Sequence, residues 1–318
     1  MRMSTLGSLS VPAVGFGAGG LTAGQEAIDT VRAAVNDGMT FLDTGDFYGS
    51  GLSEELLREA LRPIDRDAVQ LSVKFGSLRD PRGRFLGIEG RPAHVKNFLA
   101  YSLQRLGTDH VDVYRPARLD PTVPIEDTVG AIAELVEAGW VRHIGLSEVG
   151  PDTIRRAHAV HPIADVQIEY SIFSRGPERA VLPTCRELGI GVTAYGVLAH
   201  GLLTGSFRAG GPAPQHLPRL HPENLPANLA LVERLRPIAD AHDVTVAQLA
   251  IAWVLARGGD LVALVGASRP SRVPEAVAAA ALALSPGELA AIDEAVPQAA
   301  VAGERYAAPL MASLDSER

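Results

Sequence analysis

Eight short apolar runs recur along the chain, each followed by a stretch with helical patterning. The runs span residues 14–16, 40–43, 71–74, 111–116, 143–147, 164–170, 191–195 and 261–265. Alternation of this kind requires parallel pairing, because each helix carries the chain back to start the next strand in the same direction. Eight such units are the number that closes a (β/α)8 barrel. The helical stretches are 25–37, 53–61, 93–106, 125–138, 152–160, 178–188, 229–242 with 246–256, and 271–280, and a further helix at 286–295 follows them. Thr245 with Gln248 and Ser285 with Glu288 have the spacing of capping boxes, in which a hydroxyl and the residue three later satisfy free helix N–H groups. The expectation is an α/β (β/α)8 TIM barrel with an N-terminal β-hairpin over residues 1–11 and an extra C-terminal helix. It forms one domain over 1–318, with a core of about 4–297 and a tail at 298–318. The longest irregular stretch, residues 200–226, is placed as a functional loop.

One motif argues for a different fold. Gly15-Phe-Gly17-Ala-Gly-Gly20 matches the G-x-G-x-x-G dinucleotide fingerprint, and Asp43 follows at nearly the ribose-binding distance. That fingerprint needs a strand leading directly into a helix, with its third glycine packed at the helix start. Here Pro12 shortens the strand and the helix waits until about residue 25. The glycines read better as a flexible loop above the first barrel strand.

Charge and cysteine content narrow the function classes. A net charge of −8 lacks the basic patch of a nucleic-acid binder. A single cysteine, Cys185, rules out an internal disulfide framework and suits a reducing compartment. No uncharged apolar run is long enough for a membrane span, and Ser, Gly and Pro break any secretory h-region. A cytoplasmic location is expected. No H-E-x-x-H or Cys/His spacing is present, so no metal is expected.

Active groups of such barrels sit at the carboxyl ends of strands. Asp43 and Tyr48 follow the second run, and Lys74 ends the third. Taken singly, residues of these types are more often structural. Together they form a proton donor. A phenol gives up its proton poorly near neutrality, an adjacent ammonium stabilises the phenolate, and a carboxylate holds that ammonium charged and oriented. Lys74 is also one of only two lysines among 29 basic residues. Codon bias alone explains an arginine-rich chain, but only lysine offers a compact amine able to tune a phenol. The other lysine, Lys96, reads as a surface residue.

The order and spacing of these motifs, with Leu106-Gly-Thr-Asp-His-Val-Asp, Ile144-Gly-Leu-Ser-Glu and Gly266-Ala-Ser-Arg-Pro, resemble the aldo-keto reductase superfamily from about residue 4 to 297. The resemblance implies an NADPH-dependent barrel that reduces an aldehyde or ketone, with Asp43, Tyr48 and Lys74 as its catalytic residues. It places Ser147 and Gln167 at the nicotinamide carboxamide and Tyr195 against the ring. Gly196 and Leu198 fall in the pyrophosphate loop with Gly266 opposite, Ser268 and Arg272 near the 2′-phosphate, and Glu275 near the adenine. The chain departs from the pattern at four places. Ala117 stands where the family has a histidine, so the substrate side is altered there. Glu148 stands for an asparagine, Gly196-Val197 for Ser-Pro, and Ala276 for another asparagine. His200, His216 and His221 lie in the loop after the seventh strand, where an imidazole can fold over the substrate. Strand alternation puts Arg115 on the same face as residue 117; it is either a buried charge needing a carboxylate or is turned outward by an irregularity. Other readings within the same fold are a dinucleotide-binding regulatory or weakly active barrel, and a ketoreductase of sugars or secondary metabolites. The substrate and the oligomeric state are not legible in the chain.

Overall fold

The computed structural model describes residues 1–205, 207 and 214–317. A hairpin of β1 (Met3–Leu6) and β2 (Leu9–Pro12) opens the chain. The barrel strands are β3 (Val14–Gly17), β4 (Phe41–Gly45), β5 (Gln70–Phe75), β8 (Val111–Pro116), β9 (Val141–Ser147), β10 (Ile163–Glu169), β11 (Gly191–Tyr195) and β12 (Leu261–Val265). They close in that order, all parallel, with β12 paired back to β3. Between β5 and β8 lies an antiparallel hairpin absent from the sequence expectation, β6 (Ser77–Arg79) with β7 (Phe85–Ile88). Its turn, Asp80-Pro-Arg-Gly83, is closed by Gly83 N–H donating to the Asp80 carbonyl at 2.8 Å. The helices α1 (Gln25–Asn36), α2 (Leu52–Leu61), α3 (Pro92–Leu106), α4 (Ile125–Glu137), α5 (Pro151–Val160), α6 (Val181–Glu187), α7 (Leu225–Ala241) with α8 (Val246–Leu255), and α9 (Val273–Ala279) surround the barrel. The extra helix α10 (Pro286–Ala295) and a short α11 (Ala308–Met311) follow. Both expected capping boxes form, at Thr245 and Ser285.

Period-two alternation sorts the strands into two faces. On β8, Tyr114 faces the helices and its hydroxyl donates to the Val95 carbonyl of α3 at 3.0 Å. The adjacent Arg115 faces the barrel axis and is fully buried. The lower barrel is apolar. Leu6 and Val11 of the hairpin pack there with Phe41, Val113 and Val262. Ser4 Oγ donates to the Leu261 carbonyl at 2.8 Å, so the hairpin plugs the amino-terminal end.

Above that plug the axis is polar. Arg115 Nη2 lies 3.2 Å from Asp165 Oδ2 on β10 and donates to Ser72 Oγ on β5 at 2.7 Å. Thr193 Oγ1 on β11 donates to the same Asp165 oxygen at 2.5 Å. The pair spans β9, and Gly145 lets it do so: a Cβ there would sit 2.5 Å from Asp165 Oδ1 and 3.2 Å from Arg115 Nε. Burial pushes the Asp165 carboxyl up, with Arg115 and Thr193 opposing the rise. A second internal carboxyl, Asp46, follows β4. Burial and the nearby Glu54 push it up to about 7, against the opposing pull of the Gly76 backbone N–H and Arg105.

Two predictions concern these charges. Arg115→Met leaves Asp165 buried without its cation, so denaturant unfolding should show a loss of about 3–5 kcal/mol. Asp46 binds its proton more tightly folded than unfolded, so its ionisation lowers stability as pH rises from about 4, the ordinary Asp value, to about 7. Asp46→Asn should flatten the fall in Tm over that window and raise Tm at pH 8; an unchanged pH profile would contradict the assignment.

Candidate active site

The carboxyl ends of the strands, the β6–β7 hairpin and the segment beyond α10 enclose a cavity of about 1060 Å³. Asp43, Tyr48 and Lys74 all line it. Asp43 and Lys74 come from neighbouring strands, with Thr44 beside Val73 and Gly45 beside Lys74 in the register. Both side chains are buried, at 1 % and 4 % exposure, so neither charge has enough water to exist alone. Lys74 Nζ donates to Asp43 Oδ1. The other carboxylate oxygen, Oδ2, accepts from Ser72 Oγ at 2.8 Å and from Gln167 Nε2 at 2.9 Å. Three strands, β4, β5 and β10, thus fix one ammonium.

Tyr48 begins the tight turn that leads into α2. Gly49, Ser50 and Gly51 all have positive φ there, and the strained Ser50 at +54° shows how sharply the chain must bend. The Tyr48 ring packs edge-on to Phe47, with centroids 4.7 Å apart. Lys74 Nζ lies over the same ring, 5.0 Å from its centroid. Gly19 explains part of the misleading glycine motif, because a Cβ there would sit 3.0 Å from Tyr48 Cζ. The phenol end of the tyrosine needs that space.

Tyr195 lines the opposite side of the cavity, with Gly196 and Leu198 after it and Gly266 beyond β12. Gly196 has φ +65°, and a Cβ there would meet Glu169 Cγ at 3.0 Å. Positive φ and that close approach favour glycine where the family has serine. The Tyr195 hydroxyl donates to Glu148 Oε1 at 2.7 Å and lies 3.2 Å from the Tyr306 hydroxyl.

Glu148 departs most from expectation. It is fully buried behind Tyr195 with φ +53°. Arg305 Nη1 and Nη2 donate to its two oxygens at 3.2 and 3.0 Å. Ser316 Oγ donates to Oε2 at 2.7 Å, and the Glu169 N–H to Oε1 at 2.9 Å. Burial works to raise this carboxyl, but Arg305 outweighs it and holds it down at about 2. Its acceptor capacity is spent on the chain itself rather than on a carboxamide. The segment after residue 298 is therefore a strap across the barrel mouth: Tyr306, Leu310, Ser313 and Asp315 line the cavity, and Asp315 Oδ2 accepts from the Gly150 N–H at 2.8 Å.

The remaining expected residues divide. Ala117 lines the cavity. Gln167 does too, while donating to Asp43. Ser147 is buried just beneath it, 3.4 Å from Arg118 Nη1. Ser268 and Arg272 lie outside, exposed on the approach to α9. Glu275 is there as well, accepting from Arg272 Nη1 at 3.2 Å and Thr245 Oγ1 at 2.8 Å. His200 and His216 line the cavity, while His221 sits back and contacts the Pro214 carbonyl at 3.3 Å. Residues 206 and 208–213 of that loop lie outside the described residues. Burial pushes the His200 imidazole down from its ordinary value, which keeps it neutral. Lys96 is a surface residue, paired with Glu134 at 2.5 Å.

Sequence reasoning missed Arg118, the β6–β7 hairpin and the strap. The Asp80-Pro-Arg-Gly83 turn ahead of the apolar Phe85-Leu-Gly-Ile88 was a hairpin signal. For the strap no local signal existed, because Arg305 and Tyr306 acquire meaning only against Glu148 and Tyr195. No single helix among the described residues is long and apolar enough to cross a membrane. No group of three or more His, Cys, Asp or Glu among them is placed to hold a metal ion.

Comparison with known proteins agrees with this geometry. The model of the Aldo/keto reductase family matches residues 13–297. A protein called Probable aldo-keto reductase 1 from Glycine max is 41% identical over 319 residues, covering 96% of this chain and 91% of its own. The solved glycerol dehydrogenase of Gluconobacter oxydans superposes with a TM-score of 0.84 at 26% identity, covering 92% of this chain and 94% of that one. An aldo-keto reductase of Klebsiella pneumoniae, solved in complex with NADPH, gives 0.75 at 29% identity over 93% and 96%. The chain belongs to the aldo/keto reductase family of oxidoreductases.

Proposed function

We propose that this protein reduces an aldehyde or ketone to the alcohol with NADPH, using Tyr48 as the proton donor. The observation that carries the reading is the buried Lys74–Asp43 pair, with its ammonium over the Tyr48 ring and all three residues facing one cavity. The cavity fits a nicotinamide. It is large, Tyr195 offers an aromatic face, and Gly17, Gly196 and Gly266 leave backbone edges where side chains would intrude. The NADPH-bound relative from Klebsiella pneumoniae supports the cofactor.

When bound, reduced nicotinamide supplies the hydride for the carbonyl carbon. The chain's own residues handle the rest. Tyr48 delivers its proton to the carbonyl oxygen as negative charge builds there. Lys74 stabilises the phenolate that remains, since an opposite charge favours the ionised form. Asp43 keeps Lys74 charged in a dry setting and fixes its position. Ser72 and Gln167 saturate Asp43 Oδ2, so the carboxylate stays an acceptor and an anchor. Tyr195, held by Glu148, presents one face for stacking. Ser147 and Gln167 serve the carboxamide, Gly196, Leu198 and Gly266 border the pyrophosphate, Ser268 and Arg272 meet the 2′-phosphate, and Glu275 lies at the adenine. Ala117 leaves open the space where relatives place an imidazole. The adenosine half would rest on the exposed start of α9, outside the cavity.

Two tests follow. Tyr48→Phe removes only the proton donor, so turnover should fall at least ~100-fold while NADPH binding, read by fluorescence, stays within a few-fold. Equal turnover in the variant would reject the mechanism. Arg272 is exposed, and a screened guanidinium contributes modestly, so Arg272→Ala should narrow the preference for NADPH over NADH by roughly 3–10-fold. An unchanged ratio would place the 2′-phosphate elsewhere.

A further inference from the structure

Two guanidinium groups, Arg79 and Arg118, line the cavity with no carboxylate within 4 Å among the described residues. The third lining cation, Lys74, is neutralised by Asp43. The other lining carboxylate, Asp315, is held by the Gly150 N–H. The two arginines share a side. Arg79 ends β6, directly after β5, and Arg118 lies just past the end of β8. In the closed ring, β5 and β8 stand opposite β11 and β12. Gly196, Leu198 and Gly266 follow β11 and β12, so the two cations face the half of the cavity left for substrate.

Arg118 is the better placed of the two. Ala117 has no side chain beyond Cβ, and the Arg118 guanidinium folds back over it, with Nη1 donating to the Ala117 carbonyl at 2.6 Å. Nη1 also lies 3.4 Å from Ser147 Oγ. The Nε–Nη2 edge has no acceptor among the described residues. That edge is the one that grips a planar carboxylate with two parallel hydrogen bonds. The charge of Arg118 interacts with Tyr195, Glu148, Tyr306 and Tyr48, so it sits within the electrostatic field of the proton donor. Arg79 stacks on Phe47 and Phe85, at 5.7 and 5.5 Å from the ring centroids, and adds positive potential at the same mouth.

We propose that Arg118 is a specificity-determining residue that binds a carboxylate carried next to the substrate carbonyl, which makes 2-oxo acids the preferred substrate class. The proposal rests on the carbonyl-reduction reading for its chemistry. The carbonyl gains the hydride at carbon and the Tyr48 proton at oxygen, giving a 2-hydroxy acid, while NADPH becomes NADP and the carboxylate is unchanged. Burial pushes the His200 imidazole down, which weakens it as a competing cation beside Arg118.

The test uses phenylglyoxylate and its methyl ester, which share a carbonyl and differ in the anion. In Arg118→Met, the acid-to-ester ratio of kcat/KM should drop ~10–100-fold, mostly through KM for the acid. Arg118→Lys should restore part of the ratio. A ratio unchanged within about threefold, or one that falls through kcat alone, would overturn the proposal and make Arg118 a polariser of the carbonyl. Isothermal titration of oxamate, a 2-oxo acid mimic that is not reduced, into the NADP-saturated protein gives a readout without turnover. Binding should weaken at least ~10-fold in Arg118→Met while NADP binding, which reports an intact fold, holds. Wild-type reduction of the ester with no oxamate binding would reject the inference and keep the reductase reading. Oxamate binding that depends on Arg118, with no carbonyl reduced at all, would reject the reading and keep the anion site.

Discussion

Everything at the mouth of this barrel depends on a chain of charges along its axis. Lys74 is held by Asp43, Asp43 by Ser72, Ser72 by Arg115, and Arg115 by Asp165 with Thr193. Two cations and two carboxylates are thereby buried or nearly so, the upper pair at the floor of the cavity. Such a set persists through its opposite charges, since Arg115 Nε and Nη1 and Asp165 Oδ1 have no hydrogen-bond partner. Packing alone would favour an apolar axis, as the layer formed by Phe41, Val113 and Val262 shows lower down. The polar layer above it carries the ammonium that lies over the Tyr48 ring. Ser72 is the joint: it gives its proton to Asp43 and receives one from Arg115, so the Lys74–Asp43 pair and the Arg115–Asp165 pair share a single hydroxyl.

The two sides of the mouth are built differently. On the side of β5 and β8 stand side chains with unused capacity, Arg118 above all, beside Ala117. On the opposite side the groups are saturated. Tyr195 is tied to Glu148, and Glu148 to Arg305 and Ser316, which makes that wall rigid and leaves recognition to ring faces and glycine edges. The approach to α9 is neither, being an exposed surface where Arg272 and Glu275 hold each other. A ligand crossing all three would meet rigidity in the middle and adaptable charges at both ends.

Much of this was legible in the chain. The eight apolar runs fixed the barrel because strand and helix periods differ. The capping boxes at Thr245 and Ser285 formed because they need only local spacing. Asp43, Tyr48 and Lys74 could be read together because each closes or follows a strand, and strand ends converge in this architecture. Arg115 was readable as a dilemma, since alternation gave its face but not its partner. Asp165 lies two strands away, and the pair exists because Gly145 leaves a gap between them, a fact of register rather than of sequence. Glu148 could be read only as a departure from the family's asparagine. Its real partner is 157 residues further on, and nothing local to either residue announces the pair. The glycine fingerprint has a packing cause instead: Gly15 and Gly19 leave room for the Phe41 and Tyr48 rings.

The Glu148–Arg305 pair also sets an order of assembly. Glu148 leaves the ribosome with its carboxylate needing a cation, and at ordinary synthesis rates the 157 residues up to Arg305 take roughly 8–30 s to follow. Until then the carboxylate must stay hydrated, and the Tyr195 wall behind which it will be buried cannot close. The nascent barrel therefore passes through a stage in which its plugged end is complete and its working end is wet and open. The Tyr195 face of the cavity is among the last surfaces to form, so a chain still being made has its barrel before it has that wall.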